Sequence, residues 1–443
     1  MGDFEIRTDI TINGATRATT IIDGGQLDRI FDFSRVFSPV DGSVISVGKL
    51  ALNRMTLRNG RPGANFGGAI RAFIATPLGQ VHLSLNDVAV TGNQAASLGG
   101  AILTAVTTAL TDVVITGNTA DGSGGGVVVW IGISATMTRV TVSDNLAQQL
   151  TVAAGDSSGG GLSLSRDSVV TITDSTISNN TSVSPRNGEA GGIANSGTLT
   201  MNNVVVSGNK AITNVDNSAA FAGGIENAGG TIVMNGGALT NNCAARDAAA
   251  CAQRSPTGLN VNGDGGGLVN IACRNEACTL TGPGIVTLNG VLLDQNYAQD
   301  NGGAMNSISG TVNLNGATLS GNLASVSGGG VYNQNSSLLK VASTTIHSNT
   351  ATSEGGGIYN LGNAEISGST ISSNSATGGN GGGIQACATT GVSTPTLKII
   401  NSTVSGDSAP ANRTGGGLCL TATETDLSFV TIAGNTAGTG GGV

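Results

Sequence analysis

The feature that most constrains the fold is a glycine motif that returns along the whole chain. Two or three glycines precede an aliphatic residue, as in GGGVYN at 328–333 and GGGIYN at 355–360. Thirteen copies occur in 443 residues, and successive copies are separated by 25 to 43 residues. A repeat with a lower limit near 26 residues is typical of a solenoid in which each copy forms one coil and longer separations contain insertions.

A short β-branched segment that ends in asparagine precedes most glycine runs. VVITGN at 113–118 and STISSN at 369–374 are examples, and STVSGD at 402–407 places Asp407 in the same position. We predict that these segments close the last strand of each coil. The closing asparagines are Asn93, Asn118, Asn145, Asn180, Asn209, Asn242, Asn296, Asn322, Asn349, Asn374 and Asn435.

The segments between these marks are short, β-branched and alternating, which predicts strands. Glycine accounts for 71 residues and charged residues for only 10%, and no 3.6-residue apolar period indicates a helix. Short strands without helical crossovers can coil into parallel sheets whose strands lie about 4.8 Å apart. The sequence therefore predicts an all-β chain folded as a parallel β-helix, a three-sheet β-solenoid of about 13–15 coils by this repeat count.

The two ends of the repeat array are predicted to differ. Six of the eight phenylalanines lie in the first 73 residues, where bulky side chains would plug the open end of the core. We predict that residues 1–66 form an N-terminal cap with the first coils and that residues 67–443 form the repeating coils. The first and last residues read as the ends of a fragment, so we expect any export signal or anchor to lie outside it.

A second set of asparagines follows the glycine runs. In GGGIYN, alternation places Ile358 and Asn360 toward the core and Tyr359 outside. Equivalent asparagines in successive coils would stack, and an amide can donate to the next while it accepts from the one before. We therefore predict an internal structural ladder, not a row of ligands. Its members are Asn195, Asn227, Asn270, Asn306, Asn333 and Asn360.

Six cysteines occur in near pairs. An even number at short spacings favours disulfides and an oxidising compartment. Zinc is the alternative for CRNEAC at 273–278, although no second pair or histidine lies nearby at finger-like spacing. The predicted bridges are Cys243–Cys251, Cys273–Cys278 and Cys387–Cys419.

Four successive coils carry long insertions at one corner, between the closing asparagine and the next glycines. Elsewhere this corner takes about five residues, as at 350–354. Stacked loops on a rigid scaffold are where a solenoid usually carries recognition, although neutral drift of tolerated loops is the alternative. The insertions are 146–158, 181–190, 210–222 and 243–264, and a further loop, 271–284, leaves the following corner.

Charge and hydropathy exclude several classes of partner. The net charge is −8 and no Lys/Arg run occurs, so no nucleic-acid partner is predicted. No apolar stretch approaches about 18 residues, so no transmembrane segment is predicted in this chain. No cofactor is predicted, with calcium left open because Asp23, Asp28 and Asp32 form the densest carboxylate group.

The inventory of catalytic residues is thin. The only histidines are His82 and His347, and GxSxG and HExxH are absent. We therefore predict no enzyme, with a polysaccharide-active lyase or hydrolase as the alternative. Outward Thr/Ser pairs such as Thr370 and Ser372 offer a hydroxyl face that could bind ice, but threonine is also an ordinary residue of a solvated strand.

The glycine and asparagine motifs resemble those of a known class of repeats. GGAI at 67–70 and 99–102 is similar to the GGA(I/L/V) motif of polymorphic outer-membrane protein repeats in chlamydial adhesins. The closing segments resemble the FxxN motif of that family, with an aliphatic residue usually in place of phenylalanine. ITINGATRATTIIDGGQLDRIF resembles the first turns of CSLREA-type secreted β-helix proteins. These resemblances imply right-handed parallel β-helices of bacterial surface or secreted proteins.

Together these features predict an extracellular structural or adhesive β-helix at a bacterial cell surface. The loops at one corner would contact another surface or a glycan of unknown identity. The alternatives are a polysaccharide-active enzyme, an ice-binding solenoid and a self-assembling fibre subunit. End-to-end self-association is included because an open terminal coil exposes unpaired strand edges.

Overall fold

The fold was analysed in a computed structural model. The structure describes residues 2–33, 36–37, 44–46, 48–63, 65–73, 82–149, 157–215, 218–254, 262–272, 282–387, 394–421 and 423–443. The chain divides into two compact units, Met1–Val205 and Val206–Val443. Both are built from strands stacked in parallel register, and the predicted right-handed parallel β-helix is confirmed.

One coil shows how the sequence sets the fold. After the glycines, Ile358–Asn360 forms the lead strand, Asn363–Ser367 the middle strand and Thr370–Ser372 the closing strand. Burial alternates along the middle and closing strands, as the β-branched pattern predicts. Each strand pairs with its equivalents in the coils before and after it, so no coil buries its apolar row without its neighbours.

Among the described residues of the first unit there are seven lead strands, followed in each coil by middle and closing strands. Its lead strands are Phe4–Ile6, Phe31–Phe33, Ile70–Ala72, Ile102–Thr104, Val127–Val129, Leu162–Leu164 and Ile193–Asn195. Its middle and closing strands are Ile10–Asn13, Ile21–Asp23, Leu50–Arg58, Leu83–Thr91, Thr108–Thr111, Val114–Thr116, Ser134–Thr138, Thr141–Ser143, Val169–Thr173 and Thr176–Ser178, and Thr198–Ser207 runs across the boundary between the units. A short antiparallel pair joins Val36–Phe37 to Val44–Ser46.

The second unit repeats this order. Its lead strands are Ile225–Ala228, Leu268–Ile271, Ile358–Asn360, Ile384–Cys387 and Leu418–Thr421, while Met305–Asn315 and Val331–Ala342 run without a break from lead to middle strand. Its other middle and closing strands are Thr231–Thr240, Ile285–Asn289, Leu292–Asp294, Thr318–Ser320, Thr345–His347, Asn363–Ser367, Thr370–Ser372, Thr396–Ile400, Thr403–Ser405, Glu424–Ser428 and Thr431–Ala433.

A further short strand follows every closing asparagine except Asn435, and it was not predicted. In the first unit these corner strands are Gln94–Ala95, Thr119–Ala120, Leu146–Gln148 and Thr181–Val183. In the second they are Lys210–Ile212, Cys243–Ala245, Tyr297–Ala298, Leu323–Ala324, Thr350–Ala351 and Ser375–Ala376. The first residues of the predicted insertions are therefore part of the stacked scaffold. A two-residue strand carries too short an alternation to be recognised in sequence.

The glycines of each run are required for two different reasons. Gly355 has φ +65°, a left-handed conformation that suits glycine. Gly356 has no such φ, but a Cβ there would lie 2.4 Å from the carbonyl oxygen of Gly382 in the next coil. The first glycine therefore makes the turn, whereas the second allows two coils to approach closely.

Candidate recognition surfaces

The closing asparagines of the second unit form a continuous buried column. Asn322 donates its Nδ2 hydrogens to Asn349 Oδ1 at 2.8 Å and to the Leu293 carbonyl at 2.9 Å, and its backbone N–H reaches the same Asn349 oxygen at 3.1 Å. The same hydrogen bonds recur in successive coils. An asparagine within the column therefore accepts from the asparagine before it and donates to the residue after it. Its buried members are Asn209, Asn242, Asn296, Asn322, Asn349, Asn374 and Asp407, and the half-buried Asn435 ends the column by accepting from the Asp407 backbone N–H.

The first unit has an equivalent column of Asn93, Asn118, Asn145 and Asn180, with amide-to-amide distances of 2.9 Å. In the coil before Asn93, Gly60 occupies the position and its backbone N–H donates to Asn93 Oδ1 at 2.8 Å. These residues face the core and are nearly inaccessible. The columns therefore stabilise the stack and present nothing to a ligand.

The second set of asparagines forms a shorter ladder than predicted. Asn227 donates to Asn270 at 2.9 Å, and Asn333 donates to Asn360 at 2.7 Å. Asn306 is not a member, and that prediction was wrong: it aligns with Tyr332, while Ser307 aligns with Asn333. Asn306 follows Met305 by one residue instead of two, and a shift of one residue moves a side chain to the other face of a strand.

Asn195, the remaining predicted member, lies in the first unit. It is buried, and its Nδ2 donates to the Gly197 carbonyl at 3.1 Å.

The outcome differs among the three predicted disulfides. Cys243 and Cys251 form a disulfide with a Cα–Cα distance of 5.7 Å. Cys419 is a buried free thiol, so the predicted Cys387–Cys419 bridge is wrong. The register pairs Cys419 with Gln385 and Cys387 with Thr421, an offset of two residues that places the Cα atoms about 8 Å apart, beyond the range of a disulfide. Cys273 and Cys278 lie outside the described residues.

The described residues of the second unit's insertions form a structured surface that we call the insertion ridge: residues 212–215, 218–222, 245–254 and 262–264. Ala219–Phe221 and Asn262–Asp264 pair in parallel, outside the three main sheets. Phe221, Ala219 and Ala222 pack on the outward side chains of Val269 and Ile271. The ridge therefore has an apolar core of its own, which a loop shaped only by neutral sequence change would not need.

A short helix, Ala248–Gln253, lies within the ridge. Asp247 caps its first turn by accepting from the Ala250 N–H at 2.8 Å, and Cys251 ties the helix to the corner strand that begins at Cys243. Gln299 of the next coil accepts from the Arg246 N–H at 2.7 Å. The helix, the cap and the bridge fix a segment that coil stacking does not require.

Two carboxylates lie beside the ridge. Asp264 ends the ridge strand Asn262–Asp264, and Asp300 donates its backbone N–H to the Gly263 carbonyl at 2.9 Å. Burial, together with the negative charge of Asp264, raises the pKa of Asp300 to about 7. Part of the Asp300 population is therefore protonated near neutral pH. Sequence inspection missed this pair because the two residues are separated by most of a coil.

The N-terminal carboxylates do not converge on one site. Asp32 pairs with Arg29 at 3.1 Å and with Arg71. Asp23 pairs separately with Arg58 at 2.7 Å, and the Gly25 N–H, Asn59 and Arg58 together lower the pKa of Asp23. Asp23 and Asp32 are thus held by different arginines, while Asp28 accepts from the Arg29 backbone N–H at 2.8 Å. Within the described part of the chain, no group of three or more His, Cys, Asp or Glu side chains is placed to hold a metal ion.

The outward hydroxyls form a regular row in the second unit. Thr318, Thr345, Thr370, Thr403 and Thr431 are consecutive partners on the closing strands. The adjacent row is interrupted by His347 between Ser320 and Ser372. Tyr359, which alternation places outside, is only 9% exposed and stacks on Tyr332 with ring centroids 5.2 Å apart. The tyrosine pair is therefore part of the packed surface.

The outer face of the middle strands in the second unit is the remaining candidate surface. Two shallow depressions of 330 and 300 Å³ lie on it and share Glu365. Lys340, Glu365, Lys398 and Asp426 occupy one position in four successive coils. All four side chains are exposed, and Lys340 lies 3.8 Å from Glu365. The face thus carries a row of alternating charge.

The fold defines a parallel β-helix protein, and one known family model is similar to a single stretch of it. The Chlamydia polymorphic membrane protein (Chlamydia_PMP) repeat matches residues 343–361. The match runs from the closing strand Thr345–His347 through Asn349 and the glycine corner to Leu361, the motif that carried the resemblance. Neither the curated proteins nor the solved structures gave a match. The repeat and the fold fit a surface-exposed β-helix protein and support a cell-surface location.

No helix in the described residues has the length and hydropathy needed to cross a bilayer.

Proposed function

We propose that this protein is an extracellular adhesin whose insertion ridge contacts a surface or glycan ligand. The proposal rests on one observation, that the ridge is structured. It contains paired strands, an apolar cluster, a capped helix and a disulfide. A solenoid coil closes without these elements, since residues 299–301 link the same two positions in the next coil. Rigid presentation lowers the entropy lost on binding.

Removing the ridge while keeping the coils tests this proposal. Residues 212–221 and 245–264 are each replaced by a three-residue link like Gln299–Asn301, which keeps the turn residues Ala222 and Gly265, and Cys243→Thr removes the unpaired thiol. Threonine is chosen because Thr350 occupies the equivalent corner position. Circular dichroism confirms that the strands remain. We expect binding to a glycan array and to cultured cells to be lost, and unchanged binding would contradict an adhesive ridge.

A matched control keeps the ridge and alters another exposed surface. Thr171→Lys lies in the first unit, on an outward position of the strand Val169–Thr173. We expect it to bind as the wild type does. The enzyme alternative remains a prediction, and release of unsaturated or reducing ends from acidic polysaccharides, with and without calcium, tests it directly.

A further inference from the structure

The charged row on the middle strands alternates in sign along the stack, a symmetry that is not visible in the order of residues along the chain. Lys340, Glu365, Lys398 and Asp426 are successive partners, so their charges read plus, minus, plus, minus along the stack. Successive positions are about 4.8 Å apart. Read in the opposite direction, the row is minus, plus, minus, plus. A second copy turned end for end therefore presents an opposite charge at every position.

We propose that this face pairs with the same face of a second copy of the chain, in antiparallel orientation about a two-fold axis parallel to the strands. In this register Lys340 faces Asp426 of the second copy, and Glu365 faces Lys398 of the second copy. The two-fold axis repeats both contacts, so all four charges are matched. A shift of the register along the stack leaves charges without a charged partner.

The positions beside the row are compatible with close approach. Ser367 and Ile400 flank Glu365 and Lys398 on one side, and in the paired register they face one another. Glu424 lies in the same coil as Asp426 and adds a second carboxylate near the Lys340 of the other copy. The two depressions on this face, of 330 and 300 Å³, leave room for long side chains and water between the copies.

The parallel arrangement is disfavoured by the same row. Two copies aligned in the same direction would place Lys340 against Lys340 and Glu365 against Glu365, with like charges at every position. Because charge pairs at an exposed face are individually weak, the row sets direction and register more than affinity.

The size of the face indicates a weak contact. Four coils and five strand residues cover roughly 300 Å² per copy, well under the approximately 800 Å² per partner of a stable complex. Many such contacts acting together would hold two surfaces that each carry several copies. Copies attached to one surface by the same end are parallel, so antiparallel pairing would occur between facing surfaces. This consequence rests on the proposed surface location, whereas the pairing itself does not.

Charge reversal at the centre of the row tests the pairing. Glu365→Lys and Lys398→Glu each replace two attractive contacts by two repulsive ones. By sedimentation equilibrium of the full chain, we expect each single variant to lose about tenfold in association constant relative to wild type. The double variant Glu365→Lys/Lys398→Glu restores opposite charges across the axis and should associate as the wild type does. Loss in the double variant equal to that of the singles would overturn the proposal.

Mixing the single variants tests the antiparallel register. In a mixed pair, the lysine introduced at 365 faces the glutamate introduced at 398, and the native Lys398 faces the native Glu365. The mixture should therefore associate although each variant alone does not. Salt titration is a poorer readout, because the chain also carries a net charge of −8 that repels a second copy.

The same variants are then coupled to beads through one end of the chain. Wild-type beads should clump, beads of either single variant should not, and beads of the two variants should clump with each other. The Thr171→Lys variant and the ridge-deleted variant should clump as wild type does. Clumping that depends on the ridge, or a wild type that stays monomeric at millimolar concentration, would overturn the pairing while leaving the adhesive proposal to its own test.

Discussion

Asn374 donates both its backbone N–H and its side-chain amide to one carboxylate oxygen of Asp407, at 2.7 and 3.0 Å. The other oxygen, Oδ2, is buried and makes no hydrogen bond in the structure. It occupies the place where an asparagine would donate to the next member of the column. The column thus contains one step at which a donor has been replaced by an acceptor, and a proton on Oδ2 would restore the donor.

The first prediction concerns the pH dependence of stability. Burial raises the pKa of Asp407 from its ordinary 3.8 to about 7. A raised folded-state pKa of an acid stabilises the fold fully below the unfolded pKa, and this contribution is lost as the pH rises from about 4 through 7. Three pKa units correspond to roughly 4 kcal/mol. We therefore expect Asp407→Asn to raise the melting temperature at pH 8 and to leave it nearly unchanged at pH 4.

Calorimetry of wild type and Asp407→Asn across pH 4–8 checks this expectation. The difference between the two proteins isolates Asp407 from other groups such as Asp300, whose pKa is also raised to about 7. Parallel stability curves for the two proteins would show that Asp407 is not the titrating group.

The second prediction concerns the buried amide column. Asn349→Ala removes the oxygen that accepts from both the backbone and the side chain of Asn322, and also the donor to Asn374. Each buried group left unpaired costs about 1–3 kcal/mol, so we expect a total loss above about 3 kcal/mol by urea unfolding. Asn289→Ala is the control, because Asn289 bonds Asn235 and Asn315 in an exposed ladder. Equal losses at the two sites would contradict a special role for burial.

The third prediction separates the two uses of glycine. Gly356→Ala places a Cβ 2.4 Å from two atoms of the next coil, the Gly382 carbonyl oxygen and the Ser375 carbonyl carbon. We expect a loss of about 2–3 kcal/mol or failure to fold. Gly290→Asn should be nearly neutral, since Gly290 has φ +62° with open space around it, and Asn401 adopts φ +48° at the equivalent turn. Thermal unfolding of both variants distinguishes a steric requirement from a torsional one.

The fourth prediction concerns the disulfide. The variant with Cys243→Ser and Cys251→Ser opens a loop of eight residues, for which the chain-entropy estimate is about 2–3 kcal/mol. We expect the loss to be local, because the bridge joins the helix Ala248–Gln253 to one corner strand. Limited proteolysis should cut the variant near the helix while the coils stay resistant. Cleavage spread evenly along the chain would show that the bridge supports the whole stack.

The repeat, the coil and most of the buried positions could be predicted from the amino-acid sequence. Ile358 and Asn360 are inward because a strand alternates with a period of two, and Gly355 marks a corner because the strand Ile358–Asn360 begins directly after its glycine run. These are local relationships within about 26 residues, and local pattern is what a sequence displays directly. The same reasoning failed at Asn306, where one residue of spacing reversed the face.

Which residues of different coils are neighbours could be read only from the folded chain. Lys340, Glu365 and Lys398 are separated by 25 and 33 residues, yet the register places them side by side. The register between coils also places Asp264 close to Asp300. It offsets Cys387 from Cys419 by two residues, so these two cysteines lie too far apart to form a disulfide. Insertions make coil lengths unequal, so a fixed residue spacing does not predict which strand residues pair. Hydrogen bonds between coils fix that register, and with it which side chains lie side by side on the outer surface.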